Sequence, residues 1–198
     1  AQLAKMETDD IAVISTDQIA AMSTAQVSTL TTAQVVALTT AQVSSLSTDQ
    51  LAAIKTAQLA SMETVDFAAI TTAQISALTT AQMVALTTDQ VVTLSTDQAA
   101  ALTTAQLAAF TTAQLVTMEV DDFAAITTAQ ITALKTAQIA SLTTAQVVAL
   151  TTAQVANLTT AQLSAFTTAQ LVTMETEDIA AITTEQITSL TTAHVSAL

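Results

Sequence analysis

An eight-residue repeat runs through the chain from residue 7 to residue 198 without an insertion or a deletion. Residues 31–38 read TTAQVVAL, and the pattern closes with TTAHVSAL at 191–198. Twenty-four such octads follow a partial octad at residues 1–6, so the sequence predicts a single repeat array over 1–198. Because all octads are alike, each must adopt nearly the same conformation, which limits the fold to a regular repeat architecture.

Each octad position has its own character. Position 1 is Thr, Ser, Glu or Lys, and position 2 is Thr in every octad except at Val120. Position 4 is Gln or Asp, with His194 as the exception. Positions 5 and 8 are large and apolar, apart from Ala99 at one position 5. Each octad therefore has a polar start and two large apolar positions that are candidates for burial.

A second period of 56 residues, or seven octads, lies over the first. It places an acidic residue at position 1 and an Asp at position 4 of the same octads, at Glu7, Glu63, Glu119 and Glu175 and at Asp10, Asp66, Asp122 and Asp178. We expect this period to equal a whole number of superhelical turns, which would return the acidic octads to one side of the array.

The start of each octad has the signature of a helix N-terminus. Thr-x-x-Gln forms a capping box, in which the hydroxyl accepts from a first-turn N–H and the Gln side chain reaches back to the cap N–H. Position 1 as N-cap also makes positions 8 and 5 the two ends of a hydrophobic staple. Position 2 is an alternative N-cap, because Thr is more uniform there.

One continuous helix does not fit the repeat. Eight residues leave a drift of about 80° per octad, so positions 5 and 8 would form no stripe. Short helices, one per octad, are therefore predicted, with a break at each Thr-rich step. A β-solenoid is the alternative, since an even period preserves strand alternation and Thr, Val and Ile favour strands. Against it, the chain contains no Gly or Pro for strand corners.

A single octad cannot fold alone. Ordering eight backbone units costs on the order of 8–16 kcal/mol, whereas two buried apolar side chains return roughly 3–6 kcal/mol. The octads must therefore stack and bury positions 5 and 8 along a common axis, which is the logic of a solenoid. The predicted fold class is all-α, a solenoid or superhelix of short helices.

Composition excludes several functions. The chain has no Cys, so disulfides, zinc knuckles and thiol chemistry are excluded, and no Gly, so phosphate-binding loops are excluded. Its net charge of −13, with only Lys5, Lys55 and Lys135 as cations, argues against nucleic acid as a partner. No apolar run approaches the roughly 18 residues of a membrane span. Nucleophile–base pairs are missing, so no enzyme and no catalytic residue are predicted.

Units such as LTTAQ and LSTDQ resemble the repetitive octapeptide regions of large bacterial secreted or cell-surface proteins, over the whole chain. This resemblance implies a stalk, spacer or fibre segment. The Leu-Thr-x-x-Gln-Val-Val-Ala start is also similar to the first helix of transcription-activator-like effector repeats, but the second helix and the positive charge are missing.

The acidic octads are candidates for Ca²⁺, a hard cation that prefers oxygen ligands. The candidate residues are Glu7, Asp9, Asp10, Glu63, Asp66, Glu119, Asp121, Asp122, Glu175, Glu177 and Asp178. Each cluster offers only two or three carboxylates, so a site would need additional oxygens. The favoured interpretation is helix capping and a solvated acidic stripe, with no cofactor.

The remaining polar columns have structural interpretations. His194 is the only histidine and is interpreted as a Gln replacement that still forms hydrogen bonds. The Gln column at position 4 forms either a hydrogen-bonded ladder along the array or a series of independent caps. The Thr columns allow an ice-binding surface as a distant alternative.

The sequence thus predicts a structural repeat protein outside the cell or at the bacterial surface. It forms a rod or fibre segment and associates with itself end to end or laterally, because the last octad is as apolar as the middle ones and has no polar cap. The chain resembles a piece of a longer array or one built to continue into a neighbour. A Ca²⁺-responsive adhesin stalk is the alternative.

Overall fold

The computed structural model describes residues 3–198, and in that range it contains 24 short α-helices and no β-strand. The prediction of one helix per octad is confirmed, and the β-solenoid alternative is wrong for these residues. The chain divides into two compact units, Ala1–Ala101 and Leu102–Leu198. Each unit contains twelve of the helices, and each is described below by itself.

The first unit begins with a 3₁₀ turn at Leu3–Lys5. Its helices α1–α12 are Thr8–Val13, Thr16–Ala20, Thr24–Val27, Thr32–Val36, Thr40–Ser45, Thr48–Ala52, Thr56–Ala60, Thr64–Ala68, Thr72–Ala77, Thr80–Ala85, Thr88–Val92 and Thr96–Ala101. The second unit contains α13–α24, which are Thr104–Ala109, Thr112–Thr117, Val120–Ala124, Thr128–Ala133, Thr136–Ser141, Thr144–Val148, Thr152–Asn157, Thr160–Leu163, Thr168–Leu171, Thr176–Ala181, Thr184–Ile187 and Thr192–Ala197.

Most helices start with the predicted capping box, with position 1 as the N-cap; the exceptions include α8, α15 and α22, whose N-caps Glu63, Glu119 and Glu175 form no side-chain cap hydrogen bond. In α9 the Thr71 hydroxyl accepts from the Gln74 backbone N–H at 3.2 Å, and the Thr71 N–H donates to Gln74 Oε1 at 2.7 Å. Lys55 and Lys135 form only half of the box, because an ammonium group cannot accept; the Lys55 N–H still donates to Gln58 Oε1 at 2.8 Å. The alternative with position 2 as N-cap is wrong, since that Thr is the first helical residue.

The corners between helices need no glycine. Leu46, at position 8, ends α5 with φ −59° and ψ 139°, and Ser47, at position 1 of the next octad, has φ −68° and ψ 160°. Both are extended conformations that any residue adopts. No residue in the described range has a positive φ. Two extended residues therefore turn the chain, which explains how it does without Gly and Pro.

The core consists of the apolar residues at positions 5 and 8. Position 5 is fully buried from Ile11 to Leu171, and the position 8 residues from Leu30 to Met174 are at most 8% exposed. Phe67 and Phe123 are the largest side chains that are completely buried at position 5. The predicted inner column therefore exists within each unit, and positions 1–3 face solvent for the most part.

Turns of the superhelix lie about 28 residues apart. Within each unit, helices pack against the third helix before them, as α5 does on α2, α9 on α6, and α19 on α16. Hydrogen bonds link residues 28 and 31 positions apart, as from Gln74 to Leu46 and Val43. One turn is thus close to three and a half octads, so the 56-residue period corresponds to two turns within each unit.

Candidate functional site

The side chain of Gln74 illustrates the two hydrogen-bonding roles of position 4. Its Oε1 accepts from the cap N–H of its own helix, and its Nε2 donates to the carbonyls of Val43 at 2.9 Å and Leu46 at 2.6 Å in the preceding turn. Only 3% of this residue is exposed. The Leu46 carbonyl receives no backbone N–H. Because a buried carbonyl without a partner is costly, the Gln amide stabilises the corner on which it rests.

Hydrogen bonds from a position 4 side-chain amide to the carbonyls of the preceding turn, which we call the Gln link, recur along both units. In the first unit the side chains that bridge the position 5 and position 8 carbonyls of the preceding turn also include Gln34, Gln42, Gln50, Gln82 and Gln90. In the second unit they include Gln138, Gln146, Gln162, Gln170 and Gln186. The two sequence alternatives are thus both realised, since one amide caps its own helix and links two turns.

Asp breaks the link where it replaces Gln. Asp66 and Asp178 are buried, with 6% and 3% of each residue exposed. Their helices show no side-chain cap hydrogen bond. The carbonyls of Leu38 and Leu150, which hold the equivalent places in the preceding turn of each unit, receive no side-chain amide. A carboxylate is shorter than Gln and cannot donate, so the acidic octads lack this contact between turns.

Burial is the main influence on these carboxyl groups. It raises the pKa of Asp122 to about 6, and the neighbouring charges of Glu119 and Asp121 add to the effect. Burial also raises the pKa of Asp66, with help from Glu63, and that of Asp178, with help from Glu175 and Glu177. The prediction of a solvated acidic stripe is therefore wrong for these three residues. The sequence signal that could have located them is their place in the Gln column.

The other acidic candidates are exposed to solvent. These residues are Glu7, Asp9, Asp10, Glu63, Glu119, Asp121, Glu175 and Glu177. Within residues 3–198 no three His, Cys, Asp or Glu side chains come together in a way that could hold a metal ion. Binding of Ca²⁺ stays a prediction, without a three-carboxylate cluster to support it.

His194 occupies a Gln position and retains half of the Gln contacts. Its Nδ1 accepts from the Thr191 N–H at 3.4 Å, and its backbone N–H donates to the Thr191 hydroxyl at 3.2 Å. The residue is 8% exposed. These contacts are those of a capping residue, in agreement with the interpretation as a Gln replacement.

The two ends of the array expose different groups. Gln18 and Gln26 are exposed, and their side-chain oxygens accept from the cap N–H groups of their own octads. At the other end Ile187, Val195 and Leu198 are 44%, 59% and 51% exposed, although their counterparts in the middle are buried.

Within the described range, no helix has the length and apolar character needed to cross a membrane. Helices of four to six residues, stacked turn on turn through a repeated backbone–Gln link, define a helical solenoid of tandem octapeptide repeats. The chain belongs to the ALTTAQ repeat family, whose model matches residues 3–40, 35–64, 59–96, 115–152, 123–160 and 147–176. No curated protein matches it.

Proposed function

We propose that this chain is a structural segment whose task is to extend and to associate with copies of itself, without catalysis. The observation that carries the proposal is the Gln link between turns. It joins each turn to the one before through backbone atoms that every octad possesses, so adding octads lengthens the stack without new side-chain contacts. A stack of turns that lengthens in this way suits a rod, a spacer or a fibre.

Self-association is supported by large apolar side chains that remain exposed within both units. They include Val65 and Val92 in the first unit and Val120 and Val148 in the second. Exposed apolar surface of this kind marks contact sites in soluble proteins. Family membership is compatible with this role, because the same repeat unit matches again and again along the chain.

A place outside the cell or at the bacterial surface rests on the resemblance to octapeptide regions of secreted and surface proteins. The absence of cysteine and the net charge of −13 are compatible with that setting. Protease treatment of intact cells that express the chain tests the location. Rapid loss of the chain from intact cells supports a surface position, and protection until the cells are opened contradicts it.

Sedimentation velocity over a wide concentration range, followed by electron microscopy, tests the structural role. We expect the sedimentation coefficient to rise with concentration and the images to show elongated particles. A species that remains monomeric at every concentration contradicts self-association and leaves only the role of a spacer.

A further inference from the structure

Two exposed valines lie on neighbouring turns of the second unit. Val120 begins α15 and is 38% exposed, and Val148 ends α18 and is 41% exposed. The two residues are 28 positions apart, which is one turn of the superhelix, and helices α15 and α18 pack against each other. The pair therefore forms an apolar patch that the turns of the second unit leave open.

Carboxylates border this patch on two sides. Glu119 and Asp121 flank the first valine along the chain. Glu175 and Glu177 lie one turn beyond the second valine, because residue 176 is 28 positions after it. All four side chains are exposed, and the three octads that carry the patch and its border contain no Lys or His. We call the two valines and the four carboxylates the valine–carboxylate surface.

The 56-residue period brings the charges and the valines together. A Val-Val pair recurs with this period, 28 residues after the start of an acidic octad, at 35–36, 91–92 and 147–148. In the first unit Val92 is the counterpart of Val148, but Val65 stands in place of Asp121, so Glu63 is the only exposed carboxylate of the preceding acidic octad. The second unit therefore has the more acidic border.

Charge decides which partner suits this surface. A second copy of the chain would bring its own carboxylates to the border, and like charges across an interface repel. The chain has only 3 Lys or Arg against 16 Asp and Glu, so a copy offers few cations in return. A partner with cationic side chains around an apolar one matches both the border and the patch.

We propose that the valine–carboxylate surface binds a basic amphipathic polypeptide segment, in which an apolar side chain is flanked by Lys or Arg. The apolar side chain covers Val120 and Val148, and the cations pair with the carboxylates on either side. This inference goes beyond the proposed function, because it gives the array a second kind of partner besides its own copies.

Binding of a model peptide to the full chain tests the proposal. The probe is a fluorescent amphipathic peptide of leucine and lysine, and fluorescence anisotropy gives its Kd. We expect binding to weaken as the ionic strength rises, because salt screens exposed ion pairs. A peptide with serine in place of leucine should bind about tenfold more weakly, since it covers no apolar surface. Equal binding of both peptides would contradict a role for the valines.

Two variants with the same change in net charge test the border. The first neutralises its four carboxylates and is E119Q/D121N/E175Q/E177Q. The control neutralises four exposed carboxylates outside the border and is D17N/D49N/D97N/E185Q. We expect the first to raise the Kd about tenfold, as when several exposed ion pairs are lost together, and the control to change it by less than about threefold.

A second pair of variants tests the patch. V120T/V148T replaces both valines by the polar residue of nearly the same shape, and should raise the Kd about threefold. V84T/V172T makes the same change at two other exposed valines and should leave the Kd unchanged. The octads of Val84 and Val172 contain no carboxylate side chain. Circular dichroism of every variant checks that the fold is retained.

A photoreactive group on the peptide locates the contact. We expect cross-links, mapped by mass spectrometry, to concentrate in octads 119–126, 143–150 and 175–182. Cross-links spread evenly along the chain, or equal weakening by the two charge variants, would mean that an acidic chain attracts any cation, and would overturn the proposal. Sedimentation velocity reports on self-association separately, so either proposal can fail while the other stands.

Discussion

The side-chain amide of Gln74 donates to the backbone carbonyl of Leu46 at 2.6 Å, across one full turn of the superhelix. The same Gln also caps its own helix through Thr71. Local helix initiation and the stacking of turns therefore depend on one side chain. This coupling explains why position 4 tolerates so few residue types in 24 octads.

Removing this amide in the middle of the array should cost more than removing it at the end. We expect Gln74→Ala to lower the free energy of unfolding by about 2–3 kcal/mol, since it leaves the buried Leu46 carbonyl unpaired and removes the cap contact. Gln18→Ala is the matched control, because Gln18 caps its helix but reaches no preceding turn. Urea denaturation of dilute samples provides the measurement, and equal losses for both variants would contradict the link.

Adjacent threonines should differ in their contribution to stability. Thr71→Ala removes the hydroxyl that accepts from the Gln74 N–H, and should cost about 1 kcal/mol. Thr72→Ala changes the exposed first helical residue, which caps nothing, and should change stability by less than about 0.5 kcal/mol. Thermal unfolding of the two variants compares them directly. A larger effect at Thr72 would place the N-cap at position 2.

An Asp-to-Gln replacement in the Gln column should stabilise the chain. Asp66→Gln supplies the missing donor to the Leu38 carbonyl and restores the cap, for a gain of about 1–2 kcal/mol at neutral pH. Asp49→Gln removes one negative charge at an exposed position 3 and controls for net charge. If both substitutions raise the urea midpoint equally, the gain comes from charge alone and the structural explanation fails.

Stability should fall as the pH rises from about 4 to about 6. Burial raises the pKa of Asp122 from 3.8 to about 6, so the folded chain binds a proton that the unfolded chain has released. Its contribution is most favourable below pH 4 and is lost as the pH passes through 6, with Asp66 and Asp178 acting in the same direction.

The Asp122 part of this effect is at most about 2 kcal/mol, because the shift also depends on exposed neighbouring charges that water screens. Asp122→Asn should flatten the pH profile of the urea midpoint between pH 4 and 6. Asp121→Asn, at the neighbouring exposed position, should leave most of the slope in place. An unchanged slope in Asp122→Asn would assign the pH dependence to other groups.

The amino-acid sequence by itself determined the local structure of this protein. The octad, the capping box and the apolar positions 5 and 8 are properties of neighbouring residues, so helix number, helix starts to within one residue and core composition followed from them. The structure decided between positions 1 and 2 as the N-cap and showed that extended conformations make the corners without Gly. Only the tertiary structure decided how many octads make a turn, because that depends on how curved layers pack. It was this number that placed Gln74 against Leu46 and buried Asp66 and Asp178.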